Sequence, residues 1–230
     1  MLTLYTLAPA FGQASSSIFS LKAMYLLNMS GLPWQRENVD DPRKYPNGKL
    51  PALQTEEGLI GDSDNIRAYL EAQGADFDKG LSDEDKATSR AFIRMAEEHL
   101  YFHGMADRWG NDEVWPHVRD TYFQTIPGFL RPIITRAIRR DVLKGLHEQG
   151  VGRFNDADRL ARAEHDLHAI ATRVSTRDYM FGDAPSAADT SVAPMLACLT
   201  AEPVPTLLSK RVNEDSILMG YVARAQAAMG

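Results

Sequence analysis

Apolar and polar positions alternate from Leu2 to Leu7, and the run then meets Ala8-Pro9-Ala10-Phe11-Gly12. This reads as a short strand entering a loop. Ile18, Phe19, Leu21, Met24, Leu26 and Leu27 recur at helical spacing behind Ser15-Ser16-Ser17, and Gly31 supplies a stop, so a helix follows. Trp34 to Val39 has an extended pattern, whereas Asp40 to Gly48 is polar with two prolines and a glycine, which predicts a second strand and then an irregular stretch. Leu50 to Gln54 and Leu59-Ile60 bracket Glu56-Glu57-Gly58 as a hairpin. Asp62-Ser63 caps a helix through Ile66, Tyr69 and Leu70 that stops at Gly74. In the resulting β-α-β, loop, β-β-α order, the crossover forces a parallel pair and the tight turn an antiparallel one.

Beyond Ser82 strand signals nearly vanish. Ser82 and Asp85 form an acidic variant of the capping box before a periodic run, Ala87 to Trp109, that ends at Gly110. Further helices are predicted from Phe129 to Gln149, with Pro132 in the first turn, from Asn155 through Val174, and from Ser186-Ala187-Ala188-Asp189 through Leu199. The pattern divides the chain into a mixed α/β domain at 1–75, a linker at 76–84 and an all-helical domain at 85–230.

Composition narrows the class. With 44% hydrophobic and 24% charged residues the chain is globular rather than disordered. The net charge of −6 is not gathered into blocks, which argues against nucleic acid and anionic membranes as partners. No basic start precedes the Leu2 to Leu7 run and no stretch of ~18 apolar residues occurs, so the expectation is a cytoplasmic protein. The single cysteine, Cys198, cannot form an internal disulfide and sits on an apolar helix stripe with Met195 and Leu199. His99, His103 and Asp107 lie on one helical face, but three side chains spread over two turns rarely converge on one ion, so no metal is expected. Arg131, Arg136, Arg139, Arg140 and Lys144 read as a solvated basic face.

Several segments, taken in order, carry a resemblance. They are Ser17-Ile18-Phe19-Ser20-Leu21-Lys22, Gly48-Lys49-Leu50-Pro51, Gly61-Asp62-Ser63-Asp64-Asn65-Ile66, Arg90 to Trp109, Gln149 to Arg153, and Phe181 to Asp189. Together they resemble the glutathione transferase superfamily, in the branch that is similar to metaxin and failed-axon-connections proteins. The resemblance implies a thioredoxin-like N-terminal domain followed by an all-helical C-terminal domain. It also implies glutathione as co-substrate, a small hydrophobic electrophile as second substrate, and a homodimer. An interaction protein that keeps the fold without transferase activity is the alternative, as metaxin-like relatives illustrate.

The chemistry requires a lowered thiol pKa, since a free thiol near ~8.5 is mostly protonated at neutral pH. A hydroxyl hydrogen-bonded to the sulfur and the positive end of a helix both lower it, and Ser17, opening the first helix, offers both. Ser15 and Ser16 compete with it, Tyr5 is a further hydroxyl, and all three serines can equally be helix caps. Ser17 and Ser20 stand where the resemblance places the cysteines of a thioredoxin Cys-x-x-Cys, which rules out dithiol chemistry. The resemblance further implies that Pro51 is cis, that the Leu50 backbone pairs with the cysteinyl part of glutathione, and that Asp62 and Ser63 receive its γ-glutamyl end. It places Glu98, Tyr101, Phe102 and Trp109 along a second-substrate pocket. Ser186 and Asp189 read as the box that nucleates a buried helix.

Overall fold

The computed structural model describes all residues, Met1–Gly230. Its sheet runs β2 (Trp34–Asn38), β1 (Leu2–Thr6), β3 (Ala52–Gln54), β4 (Leu59–Gly61). β1 and β2 are parallel with Leu4 opposite Arg36, joined by helix α1 (Ile18–Ser30), while β3 is antiparallel to both β1 and β4. Leu4 and Leu53 pair across β1 and β3 and are fully buried. β2 is one of the two edge strands and alternates half-buried with exposed residues, which explains its weak hydrophobic signal. Between β2 and β3, the polar stretch folds into two 3-10 turns, Pro42–Lys44 and Pro46–Gly48, each with proline in its first turn. Gly61 closes against this segment: a Cβ there would lie 2.5 Å from Pro46 Cβ, so only glycine lets β4 approach.

α2 (Ser63–Ala72) completes the thioredoxin-like part. Residues 73–82 form no helix or strand but are stitched to the helical part. The Phe77 carbonyl and the Asp78 carboxylate accept from the Ala187 amide at 3.0 and 3.2 Å, and Arg67 donates to Asp78 at 2.8 Å.

One continuous helix spans 83–110. It comprises α3 (Asp83–Met95), a π turn at Ala96–Leu100, α4 (Tyr101–Met105) and a second π turn at Ala106–Gly110. α5 (Trp115–Tyr122), α6 (Arg131–Gln149), α7 (Asp156–Val174), α8 (Ala187–Thr200), α9 (Leu207–Asn213) and α10 (Ser216–Met229) follow. The sequence pattern announces α6, α7 and α8 within about two residues but not α5, α9, α10 or the π turns. α8 is buried from Ala187 to Leu199 and packs against α1, α3 and α10, as an all-round apolar helix must. Leu4, Leu26 and Leu53 share one core with Leu100, Val192 and Leu196, so the sheet and the helices exclude water from one common core rather than from two separate ones. A smaller aromatic core joins Trp109, Trp115 and Val118 to Phe11 in the loop after β1.

Candidate functional site

The loop from β1 to α1 turns back through Phe11 and Gly12, both at positive φ, and an Ala10–Gln13 bridge. The three serines that follow separate by their contacts. Ser15 is fully buried, donates to the Leu7 carbonyl at 2.8 Å and accepts from the Ser17 amide at 3.3 Å, so its hydroxyl is consumed in pinning the loop. Ser16 ties its amide to the Ala8 carbonyl. Ser17 is the N-cap of α1, half-buried, its Oγ accepting from the Ser20 amide at 3.3 Å. A capping hydroxyl spends a lone pair, not its proton. The Ser17 O–H is therefore free to donate to a sulfur placed at the positive end of α1. Tyr5 instead packs its ring on Tyr45 at 4.9 Å.

The Leu50–Pro51 bond is cis, and neither the Leu50 N–H nor its C=O takes a hydrogen bond within the chain. The Pro51 carbonyl accepts from the Asp62 amide at 3.3 Å, which sets the head of α2 beside Pro51. Asp62 is exposed and caps α2 through Oδ1 to the Asp64 amide at 2.8 Å. Its φ of 79° is a left-handed conformation costing about 1–3 kcal/mol for a residue with a side chain. Ser63, 4% exposed, opens α2 with a hydroxyl that has no partner in the chain.

Behind these groups lies an ion network that the sequence pattern did not announce. Lys22 on α1 is 1% exposed, and its Nζ lies 2.6 Å from both Asp64 and Glu97. Arg94 also reaches Glu97, Arg90 and Arg94 reach Asp64 at 2.8 and 3.2 Å, and Ser191 of α8 donates to Glu97 at 2.7 Å. Partial burial works against the Asp64 carboxylate, but Lys22, Arg90 and Arg94 outweigh it and hold its carboxyl well below the usual range. The network fixes the α1 helix that carries Ser17 against the α2 helix that carries Ser63. A lysine on an otherwise apolar helix, with Leu21, Ala23, Leu26 and Leu27 around it, was the one sequence signal that could have found it.

Of the four residues expected along a second pocket, only Tyr101 stands beside the first turn of α1, its ring 5.1 Å from Phe19. Burial raises the Tyr101 phenol, so it stays protonated at neutral pH. Glu98 is ion-paired with Arg94 on the outside, Phe102 packs against Ala106, Leu146 and Val151, and Trp109 lies in the smaller aromatic core, because the two π turns rotate the helix faces relative to a uniform 3.6-residue period. Arg108 was not foreseen. It lies over Phe11 at 5.5 Å and donates to Tyr122 Oη at 2.9 Å, to Glu202 at 2.7 Å and to the Cys198 carbonyl at 3.1 Å. Burial pushes the Cys198 thiol up to about 12, which leaves it inert as a nucleophile. The basic face of α6 is partly structural: Arg131 caps the Gln124 and Ile126 carbonyls, and Arg139 holds those of Trp109 and Gly110.

Two family models match the chain. The first, described as a glutathione S-transferase N-terminal domain, covers residues 18–115, and the second, a glutathione S-transferase C-terminal domain, covers 163–225. The chain is 28% identical over 235 residues to an isoprene-epoxide–glutathione S-transferase of Rhodococcus sp. (strain AD45), covering 97% of each. It is 26% identical over 211 residues to human metaxin-1, covering 88% of this chain but only 45% of that longer protein. Solved structures similar in fold include a glutathione transferase of Phanerochaete chrysosporium, with TM-score 0.64 and 15% identity over 100% of this chain and 98% of the other. One from Ceriporiopsis subvermispora in complex with glutathione gives TM-score 0.61 and 17% identity over 98% and 95%.

Proposed function

Since the chain belongs to the glutathione S-transferase superfamily, with metaxins among its relatives, we propose that it binds glutathione and adds the thiolate to a small hydrophobic electrophile. The observation that carries this reading is the set of polar groups left unpaired around Pro51: the Leu50 N–H and C=O and the Ser63 hydroxyl. Buried or half-buried polar groups are nearly always satisfied, so an unpaired cluster marks a place for a ligand. The cysteinyl backbone pairs with Leu50 in strand fashion. Ser63 and the first amides of α2 take the γ-glutamyl carboxylate, and Asp62 takes the amine through the carboxylate oxygen not used in capping. Ser17 donates a hydrogen bond from its free O–H to the sulfur, stabilising the thiolate and lowering the thiol pKa so that thiolate is available to attack.

On an epoxide, the thiol proton passes to solvent, the sulfur forms its bond to a ring carbon as that carbon's C–O bond breaks, and the alkoxide so formed, still part of the product, takes a proton from water. A small epoxide is the first electrophile to try, after the bacterial relative's printed substrate. A homodimer in the cytoplasm belongs to the same proposal. The similarity to metaxins supports a second reading, an interaction protein without transferase activity.

Calorimetric titration with reduced glutathione separates the two. We expect millimolar or tighter binding in the wild type, loss of that binding in Ser63→Ala, and retained binding with a raised thiol pKa in Ser17→Ala, read from thiolate absorbance. No heat at several millimolar glutathione would sink the transferase reading and leave the interaction protein.

A further inference from the structure

His99 and His103 stand one turn apart on the 83–110 helix, on the side that meets α7 rather than the side from which Tyr101 meets α1. Asp107, the third member of that row, pairs with Arg159 of α7 at 3.2 Å. Asp166 follows Arg162 on α7 by four residues, the spacing at which the two would pair on a free helix. His99 takes that carboxylate instead, with its Nδ1 2.5 Å from Asp166 Oδ2. The carboxylate accepts, so His99 Nδ1 carries the proton and His99 Nε2 accepts from His103 Nε2 at 3.3 Å. Burial, followed by the neighbouring His99, Arg159 and Arg162, pushes the His103 ring down to about 4, so it is neutral at physiological pH. Its Nδ1 has no partner and is sealed from solvent, so it presents no acceptor to the space alongside. Arg162 is thereby left without an anion: it makes no ion pair or hydrogen bond within the chain, unlike Arg159, which holds Asp107 and Asp156.

That unpaired guanidinium opens on a cavity of about 190 Å³ between the 83–110 helix, the end of α6 and α7, the liquid volume of about six waters. Arg162 lies over the Phe154 ring, 3.9 Å from its centroid, which holds the guanidinium in place. Gln149 spends its Oε1 on the Val151 amide at 2.9 Å, leaving its NH2 group to donate. Phe102, Val151 and Phe154 supply apolar wall, and no carboxylate lines the space. The polar side chains here therefore offer donors and a positive charge with no acceptor to match them, beside an apolar surface. We propose that the cavity binds a small organic carboxylate, Arg162 and Gln149 taking its oxygens and Phe102, Val151 and Phe154 its apolar body, at a site separate from the Ser17–Ser63 region. One guanidinium balances one negative charge, and its planar fork takes a carboxylate through two parallel hydrogen bonds, whereas a dianion would be left half-neutralised against the apolar wall. Arg162 is exposed on its outer side, so salt screens the attraction and the affinity is modest.

The test is an NMR titration of the full-length protein with sodium benzoate, followed through backbone amide shifts. The Gly150, Val151 and Phe154 amides should move together with a dissociation constant of about 1 mM, as one charge-assisted pair and a small apolar body allow. Inorganic phosphate, which lacks the apolar body, and benzyl alcohol, which lacks the charge, should each bind about tenfold more weakly or less. Arg162→Met keeps an apolar stem over Phe154 and removes the fork, and should weaken benzoate by about tenfold. Arg177→Met, at an exposed position just past α7, should bind as the wild type does. Shifts that are absent at tens of millimolar benzoate, confined to the Ser17–Ser63 region, matched by phosphate or benzyl alcohol, undiminished in Arg162→Met or lost in Arg177→Met would each overturn the proposal, whether or not glutathione binds.

Discussion

Asp189→Ala should destabilise the fold by about 3–5 kcal/mol, the cost of leaving several buried partners without an acceptor. Asp189 is fully buried and serves four donors: the Met180 amide at 2.9 Å, the Ser186 amide at 2.8 Å, Ser186 Oγ at 2.7 Å and Tyr221 Oη at 2.8 Å. Only the two Ser186 contacts belong to the local capping box. The other two tie the start of α8 to the turn before it and to α10. Burial raises the Asp189 carboxyl, opposed by the Met180, Ser186 and Tyr221 donors. Urea denaturation of wild type, Asp189→Ala and Tyr221→Phe measures the effect. Tyr221→Phe removes one donor and keeps the carboxylate, so it should cost about 1–2 kcal/mol. Equal stability of Asp189→Ala and wild type would mean that the helix start does not depend on this carboxylate.

Lys22→Met should cost about 3 kcal/mol at neutral pH, near the lower end for breaking a buried ion pair, because Arg90, Arg94 and Ser191 still serve the two carboxylates left behind. The pH dependence has a definite sign. Asp64 has its carboxyl depressed in the folded state, so its contribution is fully present above the unfolded value near pH 4 and is lost as pH falls below it. The gap between wild type and Lys22→Met, followed by denaturation across that range, should therefore narrow on acidification. Under conditions where the variant remains folded, its affinity for glutathione should also fall, since Lys22 links the helix of Ser17 to that of Ser63. Stability unchanged at pH 7 would show that the network is solvated rather than buried.

Local signals reported the elements. Alternation gave β1, helical spacing gave α1, and the Ser186–Asp189 spacing gave the start of α8, because strand pleat and helical turn repeat over only two to four residues. α5 and α9 escaped because they are short, at eight and seven residues. α10, apolar enough to pack on α8, has Gly220 in its interior, which weakens its helical pattern although Asp215 caps its start by accepting from the Ile217 and Leu218 amides. The candidate site was legible as segments around Ser17, Pro51 and Ser63. Choosing among Ser15, Ser16 and Ser17 was not, since the decision rests on where the Leu7 and Ala8 carbonyls return in space.

The amino-acid order alone thus determined the four strands, helices α1, α2, α6, α7 and α8 and the long helical run before Gly110, where α8 is capped, and that one cysteine leaves no internal disulfide. Tertiary structure decided what those stretches do to one another. Lys22 meets Glu97 across 75 residues, Tyr221 meets Asp189 across 32, and His99 meets Asp166 across 67. No local periodicity encodes such pairings. The Lys22–Glu97 and Tyr221–Asp189 pairings exist because packing α8 against α1, the 83–110 helix and α10 excludes water, and a charge or hydroxyl enclosed there persists only where a distant partner completes it.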